Sequence, residues 1–393
     1  MEEVVGRILR TVALMKPVQL VNMSISPSHL YLLDEVRAAL GMRPHAKIQR
    51  FERFGFSGAF LYRLWRPGQV PYLVKISSRS KIQREYRAAS RVASRFDDMV
   101  RVDPPVSRGT LKALPYPLIE YDGAGNVVEL KGTYEAALRG DRRALRATLA
   151  AIEATYAKFV RAHAPVRHAM KPRTYGQEYA EYRRIRSDGM DRLRELYSGH
   201  SVPLFAYGRH CVDPRRRLAK LLAAPLRPFY VAAAHGDLHP SNVIFSSSRD
   251  PRIVDFARAG LRQHVMKDFI TMESSLRFMT FPRHIHPALL GPVDLALNSA
   301  WSCERALSNL KSARRSRSAQ ALRVMVDCVA AVRHACDGAL RRHTDALTDG
   351  DKRNEYFRCL SIVLSGQQQF ETYPLVRVAA NIEFLLRKYG DVA

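Results

Sequence analysis

The chain has 393 residues, 47% of them apolar and 25% charged. That is the composition of a folded protein with a real core, long enough for two lobes or two to three domains, and it excludes a disordered chain. Lys and Arg number 63 against 37 acids, a net charge of +26. A field of that sign draws nucleotides, phosphorylated metabolites, nucleic acid or an anionic surface, although a merely solvated basic surface accounts for it equally well.

The five cysteines, Cys211, Cys303, Cys328, Cys336 and Cys359, are odd in number and contain no Cys-x-x-Cys pair. They read as free thiols in a reducing compartment rather than as a disulfide or zinc framework. The start, Met1-Glu2-Glu3 with Arg7 and Arg10 close behind, is a poor secretory signal. No apolar run approaches the roughly 20 residues of a membrane helix. The expectation is a soluble, cytoplasmic protein.

In chain order, residues 1–46 read as a helical extension. Val4, Val5, Ile8, Leu9 and Val12 form a first apolar face, and Ser26 or Ser28 caps a second helix that runs through Ala39 and ends at Gly41. Three antiparallel strands are expected next, at Lys47 to Phe54, Ala59 to Trp65 and Val70 to Ile76. Gly55-Phe56-Ser57-Gly58 separates the first two, and Pro67-Gly68 turns between the second and third. Residues 79–96 read as a helix containing Glu85. Short strands are expected near Val106 and from Pro117 to Tyr121, before the turn at 122–126. Together, 47–125 form a small β-rich unit.

From 126 to the end the pattern is mainly helical. Leu145, Leu149, Ile152, Tyr156 and Phe159 recur at helical spacing and read as a core stripe. One helix is expected over 177–197, and the polar segment 213–220 reads as a turn entering another. Two short strands, Val243 to Phe245 and Arg252 to Val254, flank a turn and close a hairpin. The rest, from about 265, is helices and connectors.

Moving a phosphoryl group from ATP requires a carboxylate to orient the acceptor hydroxyl, oxygen ligands for Mg²⁺, a lysine on the inner phosphates and a turn that lets backbone approach them. Each requirement has a candidate. Asp237 lies in His235-Gly236-Asp237-Leu238-His239-Pro240-Ser241-Asn242, and Asp255 lies in Ile253-Val254-Asp255-Phe256. The hairpin between Asn242 and Asp255 allows the two to meet one ion. Lys75 ends the third strand, where alternation points it away from the face of Val74. Glu85, early in the next helix, is its candidate partner, since a buried lysine needs one to stay charged.

These residues resemble the catalytic signature of the aminoglycoside phosphotransferase and choline kinase branch of the protein-kinase-like superfamily. The resemblance implies an α+β, bilobal protein-kinase-like fold: an antiparallel β-sheet lobe with one helix, then a larger helical lobe carrying the hairpin 235–256. It implies Asp237 as catalytic base, His235 as an orienting residue, and Asn242 and Asp255 as Mg²⁺ ligands. Lys75 would bind the inner phosphates of ATP. Gly55, Ser57 and Gly58 stand where a phosphate-covering turn belongs, without the Gly-x-Gly-x-x-Gly spacing of protein kinases. Glu120 and Tyr121 fall in the lobe connector that meets adenine, where Tyr121 serves equally well as packing.

The short stretch from Asp255 to Asp268, the absence of an Ala-Pro-Glu motif and Ala257 in place of the DFG glycine favour a small-molecule hydroxyl acceptor over a peptide. Asp268 resembles the acid that anchors the catalytic loop. Glu273 and Trp301 could grip a cationic acceptor, but a surface acid and a core tryptophan explain them as well. A polycationic aminoglycoside is a poor match for a chain at +26. Three readings stand: a small-molecule kinase, a kinase-like effector acting on a macromolecular target (which the Arg314, Arg315 and Arg317 cluster mildly favours), and a nucleotide-binding module without catalysis. The oligomeric state is not legible.

Overall fold

The computed structural model describes residues 25–42, 46–51, 59–66, 68–96, 101–118, 128–159, 162–163, 173–184, 187–198, 204–206, 209–226, 231–245, 251–310, 316–342, 348–368 and 374–391. The expected helix before residue 24, the turn Gly55–Gly58, the connector residues Glu120 and Tyr121, and Arg314 and Arg315 lie outside the described residues. The fold is α+β. The chain divides into two compact units, Met1–Gly132 with Ser241–Gly260, and Thr133–Pro240 with Leu261–Ala393.

The first unit is built on a five-stranded antiparallel sheet. Its strands are β1 (Lys47–Phe51), β2 (Phe60–Trp65), β3 (Tyr72–Ser78), β4 (Val106–Arg108) and β5 (Leu111–Pro117), in the order β1-β2-β3-β5-β4. The meander β1-β2-β3 is as the sequence predicts. Residues 119–121 of the strand expected from Pro117 to Tyr121 lie outside the described residues, and the sequence does not predict the strand at Leu111–Pro117. Pro115 makes that segment look broken. Its carbonyl accepts from the Asp103 amide at 3.0 Å, beyond the reach of β4, so its missing N–H faces a sheet edge where proline is tolerated.

Helix α1 (Pro27–Ala39) starts as expected, with the Ser26 side chain capping the His29 amide and Pro27 in the first turn. It ends before Gly41, whose φ of +63° suits glycine. Leu32, Leu33 and Val36 of α1 pack with Tyr62, Leu64, Val74, Ile76 and Ala113 of the sheet. Strand alternation therefore sends Leu73 and Lys75 to the other face, which helix α2 (Arg79–Val92) lines with Ile82, Glu85, Ala88, Ala89 and Val92. The short strand β6 (Val128–Glu129) pairs with β10 (Val243–Phe245), which pairs in turn with β11 (Arg252–Ile253).

The second unit is mainly helical. The helix α4 (Arg142–Lys158), which follows α3 (Leu130–Leu138), buries Ala144, Thr148, Ala151, Ile152, Thr155 and Tyr156. Leu145 and Leu149, expected in the stripe, are half-buried. The buried face is turned by one residue because Thr148 and Thr155 return their hydroxyls to the carbonyls of Ala144 and Ala151, at 2.8 and 2.7 Å, and so are not excluded from the core. The helix expected over 177–197 is three pieces, α5 (Tyr175–Glu178), α6 (Ala180–Arg184) and α7 (Ser187–Ser198). The first break falls at Tyr179, which caps α5 and whose hydroxyl meets His264 Nδ1 at 2.8 Å.

Strands β7 (Leu204–Ala206) and β8 (Arg209–Cys211) form a hairpin ahead of α8 (Arg215–Ala223). Strand β9 (Val231–Ala234) pairs with β12 (Gly260–His264). Helices α9 (Lys267–Ser274), α10 (Pro287–Ser299), α11 (Glu304–Ser308), α12 (Arg317–Arg341), α13 (Asp349–Gln367) and α14 (Leu375–Tyr389) complete the unit. All five cysteines are buried free thiols. Among the described residues no helix is long and apolar enough to cross a membrane.

A buried ionic network ties these helices together. Glu273 accepts from Arg277 at 3.0 Å, from Arg333 at 2.7 and 2.9 Å and from the Tyr356 hydroxyl at 2.8 Å. Asp294 accepts from Arg377 at 2.7 and 2.9 Å and from Arg277 at 3.2 Å. Burial alone would push the Asp294 carboxyl up, but the Arg377 and Arg277 guanidiniums and the Asn381 amide draw it down to about 2. A carboxyl held below its unfolded value contributes stability above that value and loses it as pH falls through the folded one. Acid titration of the protein should therefore show a loss of about 2 kcal/mol of unfolding free energy between pH 4 and 2, and the loss should disappear in Asp294→Asn. Equal acid sensitivity of the two proteins would remove Asp294 from the account.

Candidate active site

In the first unit, Lys75 Nζ lies 2.7 Å from Glu85 Oε2 and 2.8 Å from Asp255 Oδ1. The strand, the helix and the second residue after β11 thus deliver the three charges to one point. The Lys75 and Glu85 side chains are 7% and 2% exposed, while Asp255 is 23% exposed, so the cluster opens to solvent on the Asp255 side. Burial works against the Lys75 ammonium. The Asp255 and Glu85 carboxylates outweigh it, and the pKa is raised above the usual lysine value. Lys75 is a fixed cation. Burial, then the nearby Asp255 charge, raises the Glu85 carboxyl against the pull of Lys75.

Sequence reasoning missed a fourth member. The Tyr116 hydroxyl, on β5, donates to Glu85 Oε1 and accepts from the Asp255 amide at 3.4 Å. Tyr116 is buried, and burial followed by the Glu85 and Asp255 carboxylates pushes its phenol well above the usual value. It is a neutral donor that holds the Lys75 partner and the Asp255 backbone in register. Nothing in a strand tyrosine between two prolines distinguishes this role from core packing. Tyr116→Phe should lower unfolding free energy by about 1–3 kcal/mol, because it strips a buried carboxylate of one donor. A melt matching the parent protein would show that the hydroxyl carries nothing.

Asp255 has φ +70° and ψ +58°, and it is the one non-glycine with positive φ among the described residues. Such a conformation costs on the order of 1 kcal/mol and persists where surroundings impose it. Here the turn Phe256–Arg258 follows at once, and Phe256 is fully buried against Phe96, with ring centroids 6.2 Å apart. Asn242 is buried, and its carbonyl accepts from the Val254 amide at 3.1 Å, next to the pairing of Val243 with Ile253. The hairpin therefore sets Asn242 and Asp255 at adjacent strand ends, as the spacing predicts. Both offer side-chain oxygens, the donor type a magnesium ion takes.

In the second unit, Asp268 organises the loop that begins at His235. Its carboxylate accepts from the His235 and Gly236 amides, each at 2.8 Å, and the Tyr182 hydroxyl donates to the Gly236 carbonyl at 3.0 Å. Burial opposes the Asp268 charge, but His163, whose Nε2 lies 3.9 Å away, and the nearby His235 turn its pKa below the usual range. Gly236 takes φ +78°, open to glycine at little cost. This fixes the backbone just before Asp237, which is half-buried, and His235, which is fully buried.

Glu273 and Trp301 do not form a cation grip for an acceptor. Glu273 is fully buried and spent on Arg277 and Arg333. Trp301 donates to Asp337 at 2.8 Å and is met by Arg333, 5.6 Å from its ring centroid.

The sequence profile of the phosphotransferase enzyme family matches residues 53–272, more than half of the chain. The chain belongs to that family, the aminoglycoside phosphotransferase branch of the protein-kinase-like superfamily, and is a phosphotransferase. A second profile, ternary complex associated domain 9, matches residues 184–363. No curated protein matches the chain. Among solved structures, an aminoglycoside-3'-phosphotransferase of type VIII is similar at 17% identity and TM-score 0.44, covering 86% of this chain and 99% of its own. A glucosamine kinase is similar at 14% identity and TM-score 0.41, with 91% and 82% covered. A choline kinase from Streptococcus pneumoniae is similar at 14% identity and TM-score 0.34, with 86% and 100% covered.

Proposed function

We propose that the protein transfers the γ-phosphoryl group of ATP to a hydroxyl on a small molecule. The observation that carries this reading is the cluster of buried Lys75 and Glu85 with half-buried Asp255, at the strand end adjacent to that of Asn242. A lysine held charged at a solvent-opening carboxylate is an expensive arrangement for a scaffold and a ready one for phosphate. Lys75 meets the inner phosphates and Glu85 fixes its direction. Asn242 and Asp255 hold Mg²⁺, which neutralises charge on the transferring group when bound. Asp237 takes the acceptor proton, and His235 orients the loop. An ATP-using enzyme with five free thiols fits a cytoplasmic location.

A second reading, in which the acceptor sits in a macromolecular assembly, is favoured by one finding, the match of 184–363 to a ternary complex associated domain. Release of ADP from Mg²⁺-ATP separates the two. Release stimulated by a metabolite extract supports the small-molecule reading. Label transferred only to protein or nucleic acid supports the assembly reading. Tight ATP binding without turnover under either condition would sink both.

A further inference from the structure

Helix α2 presents Glu85 to the site, and its solvent face has a different character. Arg79, Lys81, Arg84, Arg87 and Arg91 are all exposed, as is Arg95 in the turn that follows. The helix has one acid, Glu85, which is buried on the other side. Arg84, Arg87, Arg91 and Arg95 recur at steps of three, four and four and so fall in one stripe about 16 Å long. Among the described residues none of these four forms an ion pair with an acid. The Arg91 Nε bond to the Arg87 carbonyl, at 3.2 Å, leaves both charges uncompensated. Asp97 and Asp98, the first acids after the stripe, lie outside the described residues.

This arrangement works against the helix. Like charges three and four residues apart repel, and the first turn holds Arg79 and Lys81 with no acid, where the helix dipole disfavours cations. A linear anion laid along the stripe would reverse both effects. The side chains exposed among the arginines are Ser80, Ser90 and Ser94, which donate to phosphate and offer nothing to insert into a lipid layer. We infer that the exposed face of α2 is a docking surface for the phosphodiester backbone of a nucleic-acid strand. The contact reads charge and spacing, not sequence: at about 3.4 Å of axis per phosphate, the stripe spans roughly five phosphates. The inference does not depend on the phosphotransfer reading.

The test must separate this stripe from the general charge of +26. Binding of a fluorescent mixed-sequence oligonucleotide to the full chain is measured over a salt series. The proteins compared are the parent, the triple variant Arg84→Gln/Arg87→Gln/Arg91→Gln, and a control, Arg216→Gln/Arg217→Gln/Lys220→Gln, that removes three exposed charges from α8. The stripe variant should bind at least about 10-fold more weakly, with the slope of log affinity against log salt reduced by about 2. The control should keep the parent slope. A third variant, Arg84→Lys/Arg87→Lys/Arg91→Lys, keeps the charge and should bind, which separates lost charge from a disturbed helix. Equal losses in the stripe and control variants would overturn the proposal. So would an unchanged slope in the stripe variant, or a larger loss for phosphatidylserine vesicles or polyglutamate than for the oligonucleotide.

Discussion

Asp237→Asn protein should bind Mg²⁺-ATP with nearly the parent affinity and turn over about 10²- to 10⁴-fold more slowly, the usual contribution of a positioned general base. The substitution keeps size and shape. The loop before it is fixed by backbone bonds from His235 and Gly236 to Asp268, which the change does not touch. The loss should therefore appear in kcat, with thermal stability intact. Single-turnover ADP formation and nucleotide titration on the same preparation give both quantities. Full activity in the variant would remove Asp237 from the chemistry. A parallel loss of nucleotide affinity would assign it to binding instead.

The largest stability effect is expected at Glu273, which no proposed catalytic role involves. Its carboxylate is the shared partner of two buried guanidiniums, Arg277 and Arg333, and burial is overcome by Arg333 and then Arg277, which hold it below the usual carboxylate range. Glu273→Gln keeps the shape and leaves that pair of cations with one compensating acid, Asp294, which Arg377 already engages. Breaking a buried pair from one side costs about 3–5 kcal/mol, a large share of the roughly 5–15 kcal/mol that holds a protein folded. Urea unfolding should show the midpoint collapse. A midpoint unchanged from the parent would mean that the arginines find other partners.

The contrast between these sites shows what the sequence discloses. Lys75 and Glu85 were legible because β-alternation and the first turn of the next helix are local rules, and ten residues separate the pair. Asn242 and Asp255 were legible because a hairpin returns the chain to its starting edge. Glu273 was misread as a possible acceptor contact because its partner Arg333 lies sixty residues away, and no periodic pattern announces that meeting. Tyr116 escaped notice for the same reason: its hydroxyl bonds depend on three elements packing together. One strand and one buried helix face were hidden where a residue type masked its surroundings. Pro115 turns its missing N–H toward the sheet edge beyond β4, and Thr148 and Thr155 are polar by composition but satisfied by their own helix.

The central claim concerns one ion and one nucleotide at the triad. Calorimetric titration with ATP, with and without Mg²⁺, tests it in the parent and in Asp255→Asn. The account predicts that Mg²⁺ tightens ATP binding in the parent by at least about tenfold, through carboxylate coordination, and that Asp255→Asn loses most of this enhancement. An enhancement of the same size in both proteins would contradict it.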